Sequence, residues 1–177
     1  LRKACDRGEF VLYYQPRIRV SDRRITGVEA LLRWQHPTRG LLTPADFMPV
    51  AVESGLIREM DQWVLTAACA QNIAWQDQGL PAMRVSVNIS QSFFHHHGFV
   101  GFVQQAVAES GLSPEYLELE LTETIAMANT DMAIGRLNEL TAMGIHLSID
   151  DFGTGYSSLS YLQRLSLNMV KIDQSFV

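Results

Sequence analysis

Asp150-Asp151-Phe152-Gly153-Thr154-Gly155 places two adjacent carboxylates where the alternating stretch Ile145–Ile149 runs into a glycine loop. Adjacent carboxylates repel, a bound cation removes the repulsion, and Gly153 and Gly155 let backbone approach a ligand closely. The plain alternative is a solvated acidic turn. Other polar residues recur about one βα unit apart. In Arg84–Ile89 the valines and Ile89 take one face, Ser86 and Asn88 the other. In Leu117–Leu121 the leucines oppose Glu118 and Glu120, and in the next strand Leu147 and Ile149 oppose Ser148 and Asp150. Val170 and Ile172 oppose Lys171, and Glu29 shares a face with Leu31 and Arg33.

Apolar faces pack under helices, so the polar faces should point into a barrel. Carboxylates there are costly unless paired or bound to metal. Asn88, Glu120 and Asp150 each stand near the C-terminal end of a strand, where barrel enzymes carry their chemistry. These oxygen donors with Glu29 and Asp151, and without His or Cys, describe a site for Mg2+ or Mn2+. Two neighbouring aspartates suit a pair of ions and phosphoester cleavage. A polar core network is the competing reading.

The elements that must position these residues follow from periodicity and breakers. Strands are expected at Phe10–Gln15, ended by Pro16, and at Gly27–Trp34, with a hairpin excursion over Arg17–Ile25. Thr43-Pro44 starts a helix that Gly55 closes, and a helical apolar stripe runs over Leu56–Gln78. Strands Arg84–Ile89, Tyr116–Leu121, Ile145–Asp150 and Met169–Ile172 then alternate with helices near Phe99–Ser110, Thr130–Met143 and Leu159–Leu165. Such alternation predicts parallel βα units, and the missing dinucleotide glycine fingerprint favours a barrel over a doubly wound sheet.

Net charge is −5 and the hydrophobic share 47% over 177 residues, which fits one domain and excludes a diffuse basic surface for a nucleic acid polymer. No apolar run has the length of a membrane span, and no signal peptide is read. Cys5 and Cys69 form no metal or disulfide pattern, so a cytoplasmic setting is expected, either free or as the cytoplasmic part of a membrane-anchored protein. His95-His96-His97 reads as a solvated loop.

Glu29-Ala30-Leu31-Leu32-Arg33-Trp34 resembles the name motif of the EAL domain family, phosphodiesterases of the bacterial second messenger cyclic di-GMP. The resemblance extends to Tyr13-Tyr14-Gln15-Pro16, Trp34-Gln35-His36-Pro37, Val87-Asn88-Ile89-Ser90, Glu118–Glu123, Asp150–Ser158 and Val170-Lys171-Ile172-Asp173. It implies an α/β fold, a modified TIM-like (β/α)8 barrel with an antiparallel first strand. It implies Glu29, Asn88, Glu120, Asp150 and Asp151 as ligands of two Mg2+ or Mn2+ ions, Asp150 bridging them. Lys171 then orients the hydrolytic water, Glu123 braces the loop after Asp151, and Gln15, Leu31 and Arg33 contact the dinucleotide. The implied reaction is hydrolysis of cyclic di-GMP to linear pGpG, the alternative a silent module that binds cyclic di-GMP or a protein. The family continues past Lys171 with two more βα units, so residues 1–177 are expected to be a C-terminally incomplete domain, cut before the last βα units. Val52 departs from an acidic position of the family. The resemblance also admits a homodimer through the segment after the Asp150–Ser158 loop, and fused sensor or diguanylate cyclase domains.

Overall fold

The computed structural model describes residues 1–127, 130–153 and 165–176. A short helix, α1 (Arg2–Asp6), leads into an antiparallel hairpin of β1 (Phe10–Ile18) and β2 (Ile25–His36). The stop expected at Pro16 does not occur: Pro16 pairs with Val28 and the strand continues to Ile18. Among the described residues β1 is a sheet edge, where a residue without an N–H is tolerated. A three-residue strand, β3 (Gly40–Leu42), folds back on the end of β2 and is too short to leave a periodic signal.

Every later ladder is parallel. β4 (Arg84–Asn88) pairs with β2, β5 (Leu117–Thr122) with β4, β6 (His146–Phe152) with β5, and β7 (Met169–Ile172) with β6. The order is β1-β2-β4-β5-β6-β7, with β3 attached to β2. The expected antiparallel first strand and run of parallel strands are therefore present. The sheet is open, since no described strand joins β7 to β1.

Helices cover the outer face. α2 (Pro44–Glu53) starts as expected at Thr43, whose backbone N–H and hydroxyl both donate to Asp46 Oδ2 at 2.8 Å. α3 (Ile57–Asp77) buries Ile57, Met60, Asp61, Val64, Leu65 and Ala68, one face at helical spacing. α5 (Phe99–Ser110) and α7 (Thr130–Ala142) follow their strands as expected. Three one-turn helices, α1, α4 (Gln91–Phe94) and α6 (Glu123–Met127), were not legible, because a single turn shows no period. The helix expected near Leu159–Leu165 lies, up to residue 164, outside the described residues.

The core is continuous under these helices. Val85, Val87, Leu117, Leu119, Leu147 and Ile149 are fully buried against Phe93, Phe94, Phe99, Leu137 and Leu140. A second cluster packs Phe10, Phe47, Ile57 and Met60 around Trp34 and Trp63, with Phe10 and Trp63 ring centroids 5.9 Å apart. Each such side chain contributes about 1.5–3 kcal/mol on burial. No helix among the described residues is long and apolar enough to cross a membrane.

Candidate functional site

Strand register gathers the polar residues. Asn88 lies opposite Glu120 in the β4–β5 ladder, and Ile89 donates its N–H to the Glu120 carbonyl at 3.0 Å. Thr122 lies opposite Asp150 in the β5–β6 ladder. Glu29, Glu120 and Asp150 come from three different strands, and one carboxylate oxygen of each lies within 4.8 Å of the others. Lys171 from β7 stands among them, with Nζ at 2.6 Å from Glu120 Oε2, 2.9 Å from Asp150 Oδ2 and 3.4 Å from Glu29 Oε2. Asn88 completes the group, its side-chain amide donating to Glu29 Oε1 at 2.9 Å.

Negative charge is in excess in this cluster. Burial pushes the Glu120 carboxyl up, against the pull of Lys171. Burial alone would lower Lys171, yet its hydrogen bonds to Glu120 and Asp150 raise it overall, so its proton is firmly held. Three carboxylates face one ammonium, and Glu120 Oε1 is buried with no hydrogen-bond donor among the described residues. The donors are hard oxygens, Glu120 and Asp150 in the C-terminal halves of β5 and β6 and Glu29 within β2, so the residues fit one or more divalent cations such as Mg2+ or Mn2+.

Asp151 stands beside this trio and outside it. The β6–β7 register slips between Ile149 and Phe152, which places the acidic pair in a bulge, and Asp151 takes a left-handed φ of 54°. Bulges re-aim side chains next to functional sites, and aspartate tolerates this conformation better than most residues. Burial first, then Asp150 and Asp173, push the Asp151 carboxyl up. Buried Glu123 begins α6 directly after β5, and its Oε2 accepts the Gly153 N–H at 3.1 Å. Gln15 lies opposite Glu29 on β1. Leu31 lines a small cavity, and Arg33 donates to the Leu32 carbonyl at 2.8 Å with its guanidinium 5.8 Å from the Tyr13 ring centroid.

That cavity, about 230 Å3, is walled by Leu31, Met48, Ile57, Met60, Asp61 and Asn88. Asp61 in this wall is a candidate that the sequence reading missed. It is 7% exposed and accepts hydrogen bonds from the Ser90 N–H at 3.3 Å and from the Ser90 hydroxyl. It thereby ties α3 to the turn just after Asn88, and burial raises its carboxyl to about 7 despite those bonds. The available signal was its place on the apolar stripe, four residues after Ile57 and three before Val64. A larger cavity, about 800 Å3, opens at the other end of the strands beside Arg24, Arg84, Glu115 and His146, and contains none of the predicted site residues. Of the three histidines, which lie in a turn as expected, His97 is exposed, whereas His95 Nδ1 lies 2.9 Å from the Gln91 carbonyl and His96 Nδ1 accepts the Gly98 N–H at 3.1 Å.

A second polar layer lies one strand repeat below the trio. Arg17 of β1 grips Glu118 with both guanidinium nitrogens, at 2.7 and 3.0 Å, and Ser148 Oγ donates to the same carboxylate at 3.0 Å. Burial works against the Glu118 charge, but Arg17 and Ser148 hold its carboxyl below the ordinary range.

Known proteins carry the same arrangement of chain. The family model described as the EAL domain matches residues 1–177. The bifunctional diguanylate cyclase/cyclic di-GMP phosphodiesterase MucR of Pseudomonas aeruginosa is 46% identical over 177 residues, covering 100% of this chain and 26% of MucR. The cyclic di-GMP phosphodiesterase NbdA of the same species is 43% identical over 177 residues, covering 100% of this chain and 23% of NbdA. The chain thus spans about a quarter of the length of these curated relatives. A solved structure of the PaMucR phosphodiesterase in complex with c-di-GMP superposes with a TM-score of 0.95 at 46% identity, over 99% of this chain and 71% of that one. With residues 1–177 matched by the family model and the fold shared with the PaMucR phosphodiesterase domain, this chain belongs to the EAL domain family.

Proposed function

We propose that this chain carries the catalytic face of a metal-dependent hydrolase that opens one phosphodiester of cyclic di-GMP to give linear pGpG. The carrying observation is the meeting of Glu29, Glu120 and Asp150 within 4.8 Å around Lys171. In this reading Glu29, Asn88, Glu120, Asp150 and Asp151 hold two Mg2+ or Mn2+ ions. Such ions supply Lewis-acid neutralisation of a phosphate and a more acidic bound water.

The chain's own residues do the rest. Lys171 holds its proton in this setting, so it acts as a donor and fixed positive charge toward water or phosphate rather than as a base. Glu123 holds the Gly153 backbone and with it the start of the loop after Asp151. Arg33 offers a planar fork suited to a phosphate oxygen, and Gln15 lies beside Glu29 as a further polar contact. The apolar cavity behind Leu31, with Asp61 in its wall, suits a purine ring. MucR and NbdA, described as cyclic di-GMP phosphodiesterases, support this substrate class.

The test is incubation of the intact protein with cyclic di-GMP and Mg2+ or Mn2+, with product identified by mass spectrometry, alongside Glu29→Ala. Formation of pGpG, abolished by a chelator and reduced by at least about a hundredfold in the variant, is expected. Tight binding of cyclic di-GMP with no pGpG would replace this reading with the receptor one. Undiminished turnover in Glu29→Ala would remove Glu29 from the ligand set.

A further inference from the structure

We infer that Arg17 is a positioning residue for Glu120, a role that rests on reading the trio as a metal centre. Glu118 and Glu120 share one face of β5, so two buried carboxylates are stacked on the polar face of the sheet. Arg17 reaches both. Its bidentate grip fixes Glu118, while Nη1 stands 3.7 Å from Glu120 Oε1, the buried oxygen with no hydrogen-bond donor among the described residues.

The guanidinium has room because Gly27 of β2 lies beneath it. A Cβ at Gly27 would come within 3.0 Å of Arg17 Nη2 and 2.9 Å of the Arg84 carbonyl. Arg17, Glu118 and Ser148 therefore form a layer locked from β1, β5 and β6, with Gly27 as its floor. Its charge faces one oxygen of Glu120 while Lys171 takes the other. A cation held by the trio must share or replace the Lys171 contacts, and Arg17 is then the organic cation that still faces Glu120. It fixes which way the carboxylate plane turns, and so which oxygen is presented to the cation. Partners of this kind orient metal ligands, and their loss typically costs about 10–100-fold in metal affinity.

The test uses Mn2+ as probe on the intact protein, with affinity read by calorimetry and the ligand field by electron paramagnetic resonance. Arg17→Met alone would strand Glu118, so it is paired with Glu118→Gln, which leaves net charge unchanged and keeps an acceptor for Ser148. Arg17→Lys is the second variant, keeping the charge and losing the fork. Both variants are expected to melt within a few degrees of the wild type. Mn2+ binding should weaken about tenfold or more in the double variant and by less in Arg17→Lys, with an altered Mn2+ spectrum in each. Wild-type Mn2+ affinity and spectrum in whichever variant folds overturns the role of Arg17 while leaving the metal-centre reading intact. Failure of the wild type itself to bind Mn2+ overturns that reading and this inference with it.

Discussion

Lys171 Nζ lies 2.6 Å from Glu120 Oε2, so an ammonium occupies the space among three carboxylates that a divalent cation would use. The contact bridges β7 and β5, strands that are not neighbours, with β6 between them. It offsets carboxylates that would otherwise repel, and in the proposed function the same ammonium serves the chemistry.

Removing that ammonium separates the two contributions. In Lys171→Met without divalent cation, the stranded carboxylates should lower stability by about 3 kcal/mol. Adding Mn2+ should recover most of the loss, and the variant should bind Mn2+ more tightly than the wild type while losing turnover. Urea denaturation with and without Mn2+ reads the first effect and calorimetry the second. Weaker Mn2+ binding in the variant would mean that Lys171 assists the cation rather than competing with it.

Asp61 should give stability an unusual pH dependence. Burial raises its folded pKa to about 7, well above the ordinary value near 3.9. Between those values the folded state holds a proton that the unfolded state has lost, so stability falls as pH rises through that window and levels off above it. The full effect is on the order of 4 kcal/mol. Asp61→Asn should flatten this slope and exceed the wild type at pH 8 by about 1–3 kcal/mol. Urea titrations at several pH values measure it, and an unchanged slope in the variant would assign the titration to another group.

Gly153 couples the acidic bulge to the turn after Lys171. Its φ is 102°, and an added Cβ would stand 2.8 Å from Cε2 of the Phe176 ring. Gly153→Ala should cost about 1–2 kcal/mol, part from the backbone conformation and part from the ring. Adding Phe176→Ala should return only the steric part, which a double-mutant cycle by thermal denaturation resolves. Strict additivity would show that ring and loop are independent.

Residue order alone determined much of this protein. Helical and strand periods located the main elements, since Ile57, Met60 and Val64 declare a buried helix face and Leu117, Leu119 and Leu121 a buried strand face. Strand parity also put Glu120, Asp150, Asn88 and Lys171 on one side, because successive side chains alternate by geometry. Three things depended on tertiary structure. Arg17 meets Glu118 across 101 residues of sequence, and its contact needs the antiparallel hairpin and the space over Gly27. Asp61 became a titrating wall of a cavity only once α3 packed against the turn at Ser90. Parity had already put Asp150 on the face of the trio, but the register slip between Ile149 and Phe152 and the left-handed φ of Asp151 could not be read from the residue order. Local pattern fixes which face a residue takes, whereas the distance between charges depends on how strands are paired and where the pairing breaks.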